Sequence, residues 1–303
     1  MASTLAFVSA PGVDRTLFDS LLLQARTAGL LAPGAEFTWY RSAGKLVARG
    51  PGAEADTAVL RARVYEFMDT QNQPLVCAAA IDSQLLEARQ LLLVMDVDST
   101  LIKQEVIELL AAHAGREAEV AAVTEAAMRG ELDFAQSLIQ RVATLKGLDV
   151  SVLAETRQRI VLSDGARQLV ERFHAAGHKV GVVSGGFQQI LDPLADELGL
   201  DHALANTLGI AGGVLDGAVH GRIVDRAVKE QMLRQWAQEH GIGLHATIAA
   251  GDGANDLDMV GAAGLGVAFN AKPALRQAAD VRLDFAQLDV IADLVLADAE
   301  PLA

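Results

Sequence analysis

The chain has a single cysteine, Cys77, among 303 residues, so it can build no internal disulfide framework, and a reducing cytoplasm fits that usage. Cys77 sits inside the apolar run Leu75–Ile81, which reads as a buried, inert thiol. No apolar stretch is long enough to cross a bilayer. Met1–Val13 lacks the basic start and long apolar segment of a secretory signal. Positive charge is also scarce. Lys and Arg total 25 against 39 Asp and Glu, a formal net charge of −14 that argues against nucleic acid or an anionic membrane as partner. A phosphorylated small molecule stays possible, because it needs only local positive charge from a metal ion, a lysine or helix N-termini. Histidines are few and show no His-x-x-x-His or Cys/His spacing, which speaks against zinc. Aromatics make up only 4% while 51% of residues are apolar, as in an Ala/Val/Leu-rich α/β protein. The length suits about two domains.

The first unit, residues 1–88, has strand candidates at Thr4–Ala10, Glu36–Ser42, Lys45–Arg49 and Leu75–Ile81. Helices are expected from Asp14 to Thr27 and over Ala55–Thr70, the second with Val59, Val64, Phe67 and Met68 near one face. The order β-α-β-β-α-β is that of the ferredoxin-like motif and of ACT-type regulatory domains that bind amino acids. A structural or dimerisation module, and with it a homodimer, fits the same order.

The second unit, 89–303, begins with Leu91-Leu-Leu-Val-Met-Asp96-Val-Asp98-Ser-Thr100. A short apolar run ending in two aspartates reads as a strand covered on both faces, with carboxylates at its carboxyl end. Ligands bind just outside the carboxyl ends of strands in an open α/β sheet. Side-by-side carboxylates repel, so such a pair holds a cation or shares a proton. Residues 103–162 are helical in pattern, with breaks near Gly115, Gly130 and Gly147 and a capping box at Asp133–Gln136. They read as a cap over the sheet, leaving 89–102 and 163–303 as the core. Alternation then resumes: Lys179–Val183, a tight Ser184-Gly185-Gly186 turn, a helix over Asp225–His240 carrying Lys229, and Thr247–Ala250 ending in Gly251-Asp252-Gly253-Ala254-Asn255-Asp256. Strands alternating with helices predict a Rossmann-like parallel sheet.

Asp96-Val-Asp98-Ser-Thr, Ser184-Gly185, Lys229 and Gly251-Asp252-Gly-Ala-Asn255-Asp256 resemble, in order, the four motifs of the haloacid dehalogenase-like phosphatases. Asp96-x-Asp98-Ser-Thr-(x)4-Glu105 and Phe134-x-Gln-Ser-x-x-x-Arg141 are similar to the phosphoserine phosphatase family within them. The resemblance implies hydrolysis of O-phospho-L-serine to serine and phosphate through an aspartyl-phosphate, the last step of serine biosynthesis. It makes Asp96 the nucleophile and Asp98 the general acid and base. Mg²⁺ is the implied ion, on Asp96, the backbone carbonyl of Asp98, and Asp252. Lys229, Ser184 and the Gly185 amide are expected at the phosphoryl oxygens. Glu105 is expected at the substrate ammonium, Arg141 at its carboxylate, Asn255 at substrate or water, and Asp256 orienting the metal site and Lys229. Phe134 is expected to shield the site from water. Two other readings share these residues: a phosphatase or phosphotransferase for another small ester, and a non-catalytic amino-acid sensor.

Overall fold

The computed structural model describes residues 3–128, 133–298 and 300–301; the helix break expected at Gly130 lies outside them. Two sheets organise the chain. The first takes β1 (Ser3–Ser9), β2 (Thr38–Ser42), β3 (Lys45–Pro51) and β4 (Val76–Asp82) in the antiparallel order β2-β3-β1-β4. The second takes β5 (Leu92–Met95), β6 (Lys179–Phe187), β7 (His202–Ala211), β8 (Val214–His220), β9 (Thr247–Gly251), β10 (Leu265–Phe269) and β11 (Val281–Leu283). Its order is β11-β10-β9-β5-β6-β7-β8, parallel except for the β7–β8 hairpin. The residues Glu300–Pro301, β12, return to pair with β2. Among the described residues no helix is long and apolar enough to cross a membrane.

The small sheet is covered on both faces. Alternate side chains of β1 point opposite ways: Leu5 and Phe7 join a cluster with Phe18, Leu60 and Phe67 from the helices Arg15–Thr27 and Thr57–Gln71. Ala6 and Val8, with Cys77, Ala79 and Ile81, belong instead to the core that holds β5. Buried charge reinforces the contact. Lys45 on β3 is fully buried against Asp289 and Asp293, the latter at 2.9 Å, and Arg172 reaches the other oxygen of Asp293 at 2.7 Å. Arg61 pairs with Asp280 at 2.6 Å across the same junction.

Two local expectations are corrected. The buried face of Thr57–Gln71 is Leu60, Val64 and Phe67 at i, i+4 and i+7, while Val59 is 46% exposed. Ser184–Gly186 is no tight turn, because β6 runs through to Phe187 and the β6–β7 register slips between Val183 and Phe187. The slip re-aims the strand end as a bulge does.

Among the described residues, four α-helices, Val106–Ala114, Glu117–Met128, Phe134–Ala143 and Ser151–Arg159, lie between β5 and the helix Ala166–Ala175 that leads into β6. Gly115 and Gly147 take positive φ (+61° and +86°) where the helical pattern breaks, and Asp133 and Gln136 form the capping box. The chain leaves and re-enters the large sheet through adjacent segments, joined by an Ile102–Leu162 bridge and a Lys103 N–H to Val161 carbonyl bond of 2.9 Å.

Candidate active site

The end of β5 is fixed by its neighbour: the Asp96 N–H donates to the Ala250 carbonyl of β9 at 2.9 Å. Asp96 is 3% exposed. Its Oδ1 accepts from the Val97 N–H at 2.7 Å. Its Oδ2 lies 2.7 Å from Lys229 Nζ and 3.4 Å from Asn255 Nδ2. Lys229 rises from the helix Arg226–Glu239, which is capped by Asp225, and its ammonium also meets Asp256 Oδ1 at 2.7 Å. Asp256 Oδ2 accepts from the Gly253 N–H at 3.1 Å, so both its oxygens are engaged. A Cβ at Gly251 would fall 2.4 Å from that carboxylate, which is why β9 ends in glycine.

Asp98 stands beside Asp96 in a loop where Ser99 adopts φ +56° and donates its hydroxyl to Glu105 Oε1 at 2.8 Å. Asp98 Oδ2 accepts weakly from the Val106 N–H at 3.4 Å, and Oδ1 is buried without a hydrogen-bond partner. From β6, Ser184 Oγ accepts from the Gly186 N–H at 2.8 Å. The glycines there are required by space: a Cβ on Gly185 would come 2.9 Å from the Phe134 ring, and one on Gly186 3.3 Å from Asp98 Oδ2.

These groups surround one cavity of about 320 Å³. Asp96, Asp98, Ser184, Gly185, Asp252 and Asn255 form its floor; Glu105, Phe134 and Arg141 close it from the helical side. Lys229 and Asp256 lie behind the floor rather than in the wall. Lys272, Phe187, Ile107 and Leu138 also line it and were missed in the sequence reading. Lys272 follows β10 in Phe269-Asn-Ala-Lys-Pro, so the strand-end rule that found Asp96 would have found it too.

The cavity is short of positive charge, and its carboxyls respond. Burial first, then the charge of Asp256, push Asp96 up to about 7 against the pull of Lys229. Asp98 is raised well above the carboxylate range by burial and by the charges of Glu105 and Asp96. Burial lifts Asp252 to about 6. Burial alone would lower Lys229, but Asp96 and Asp256 outweigh it and hold the ammonium above its ordinary range. Oxygens of Asp96, Asp252 and Asp256 lie within 4.8 Å of one another. An all-oxygen set in which Asp252 has no closer cation than Lys272 at 3.7 Å suits a hard divalent cation, whose charge would relieve this crowding.

The family model described as haloacid dehalogenase-like hydrolase matches residues 93–260. The chain belongs to that family. Its sequence relatives include phosphoserine phosphatases. That of Lactococcus lactis is 47% identical over 69% of this chain and 98% of its own. That of Streptomyces coelicolor is 57% identical over 70% of this chain and 52% of its own, so the chain spans about half the length of this relative. The crystal structure of a probable phosphoserine phosphatase from Vibrio cholerae superposes with a TM-score of 0.78 at 34% identity, covering 97% of this chain and 86% of that one. Members of the family generally use Mg²⁺.

Proposed function

We propose that this enzyme hydrolyses O-phospho-L-serine to L-serine and inorganic phosphate. One observation carries the reading beyond a generic phosphatase: Glu105 and Arg141, of opposite charge, face one cavity whose floor holds the buried Asp96, paired with Lys229 behind it. Beyond its phosphate, phosphoserine is a zwitterion and needs one partner of each sign. Arg141 would fork onto the carboxylate, and Glu105, oriented by the Ser99 hydroxyl, would take the ammonium.

Asp96 attacks phosphorus with a carboxylate oxygen, forming an aspartyl-phosphate as the bond to the serine oxygen breaks. Asp98 gives that oxygen its proton. Its raised proton affinity suits this role, and its buried, unpartnered Oδ1 suits a group waiting to exchange a proton. The Asp98 carboxylate then takes a proton from the water that cleaves the intermediate. Lys229 neutralises Asp96 and Asp256 from behind. The Ser184 hydroxyl and Gly185 amide would donate to the phosphoryl oxygens. Asn255, 3.4 Å from Asp96, would contact substrate or water. Mg²⁺ would be held by Asp96, Asp252 and the Asp98 carbonyl, with Asp256 orienting Lys229; when bound it offsets the repulsion between carboxylate and phosphate dianion.

The reading treats 1–88 as an α+β unit and 89–303 as the phosphatase unit with a cap over about 103–162. Its single cysteine, buried and with its thiol pushed up by burial, suits the cytoplasm. The test is phosphate release from phosphoserine, phosphothreonine, phosphoethanolamine and p-nitrophenyl phosphate, with and without EDTA. Phosphoserine is expected to be strongly preferred, with activity lost to EDTA. A stronger preference for phosphoethanolamine would overturn the assignment.

A further inference from the structure

Lys272 belongs to none of the four motifs, yet it stands in the cavity wall. Its backbone is pinned on both sides. The N–H donates to the Asp252 carbonyl at 2.8 Å, and the carbonyl accepts from the Arg276 N–H at 3.0 Å. Pro273 then opens the short helix Pro273–Ala278. Two residues before Lys272, Asn270 takes φ +43°, a left-handed conformation that asparagine tolerates better than most residues. That kink carries the chain from β10 back over the end of β9 and sets Lys272 against Asp252.

The side chain is held much less firmly. It is 64% exposed, with Nζ 3.7 Å from Asp252 Oδ2, beyond hydrogen-bond distance. An ammonium on a flexible stem, fixed at its base and free at its tip, can exchange partners while the backbone stays in place. The other cations near the site stand elsewhere. Lys229 is clamped between Asp96 and Asp256 behind the wall. Arg141 faces the charge of Glu105 on the helical side. Among the described residues Lys272 is the cation of the Asp252 side.

A divalent ion on Asp252 would displace this ammonium, since two cations cannot share one carboxylate without repulsion. We propose that Lys272 is a partner-switching cation of the phosphate subsite. It neutralises Asp252 while the metal position is empty, and turns to the phosphoryl oxygens of substrate and product once an ion occupies Asp252. This rests on the phosphatase reading above and adds to it a residue that both competes with the metal and retains phosphate.

Calorimetry with Mg²⁺ alone tests the first half without any substrate. Metal-free Lys272→Met is expected to bind Mg²⁺ about two- to five-fold more tightly than wild type, the strength of an exposed ion pair. Inorganic phosphate titrated into the Mg²⁺-loaded chain tests the second half. Its binding is expected to weaken about three- to ten-fold in Lys272→Met and to recover in Lys272→Arg. Equal thermal unfolding of the metal-free forms serves as the folding control. Unchanged Mg²⁺ affinity, or unchanged phosphate affinity, in Lys272→Met overturns the proposal. If both shifts appear while no form hydrolyses phosphoserine, the substrate reading fails and the switching role of Lys272 stands.

Discussion

Replacing Arg141 with alanine separates recognition of the substrate carboxylate from the chemistry on phosphorus. The guanidinium sits in the helical wall of the cavity, on the side away from Lys229. Among the described residues only its Nε is engaged in a hydrogen bond, with the Ser137 carbonyl at 3.3 Å, which leaves the terminal nitrogens for a carboxylate. A hydrogen bond to a charged group contributes about 1.5–3 kcal/mol, so losing it should reduce kcat/KM for phosphoserine about 10- to 150-fold. Phosphoethanolamine has the same ammonium and phosphate but no carboxylate, and its kcat/KM should change less than about three-fold. Steady-state phosphate release with both substrates, in wild type and Arg141→Ala, gives the ratio directly. Removing Arg141 also strips a counter-charge from Glu105 and Asp98, an effect common to both substrates that cancels in the ratio. Equal losses for the two substrates would refute carboxylate recognition by Arg141 even if the variant were severely impaired.

Asp96→Asn is expected to abolish steady-state turnover and to accumulate no acid-stable phosphoenzyme after a quench with labelled substrate; wild-type rates in that variant would exclude a covalent route through position 96. Metal affinity should fall with pH, because carboxyls raised to about 7 at Asp96 and about 6 at Asp252 are increasingly protonated below those values, and only the carboxylate binds the ion. Mg²⁺ titrations at pH 8 and pH 6 in buffers of differing ionisation enthalpy should show weaker binding and greater proton release at the lower pH. Lys45→Met should destabilise the chain by about 3 kcal/mol in urea unfolding, the low end for breaking a buried ion pair, since Arg172 still holds Asp293 and Gln287 still donates to Asp289 at 2.8 Å. A loss below about 1 kcal/mol would show that water reaches those aspartates.

The floor of the cavity was legible because strand ends in a parallel sheet announce themselves: an apolar run stops and an Asp or Ser-Gly follows. Asp96, Asp252 and Ser184 were found in that way and do share one cavity. The depth of Lys229 was not legible. Its helix reads as a charged surface, and only the tertiary fold places its ammonium between two carboxylates from different strands. The covered second face of the small sheet left a trace in the continuous apolar run Leu5–Val8, which signals burial on both sides where an exposed sheet would alternate. What covers it was hidden, because Lys45 finds Asp289, the first of its two partners, 244 residues further along the chain. The Ser184–Gly186 segment was misread because the glycines suggested a turn, whereas they are there to make room for Phe134 and Asp98.

The Ile102–Leu162 bridge has a consequence for how such an enzyme changes its diet. The two ends of the intervening helices meet side by side, so the segment enters and leaves through one doorway, rests on the edge strand β8 through an Asp149–Val214 bridge, and leaves the order of the sheet uninterrupted. A lineage, or an engineer, can therefore splice in a different lid there and offer new molecules to the same phosphoryl-transfer machinery.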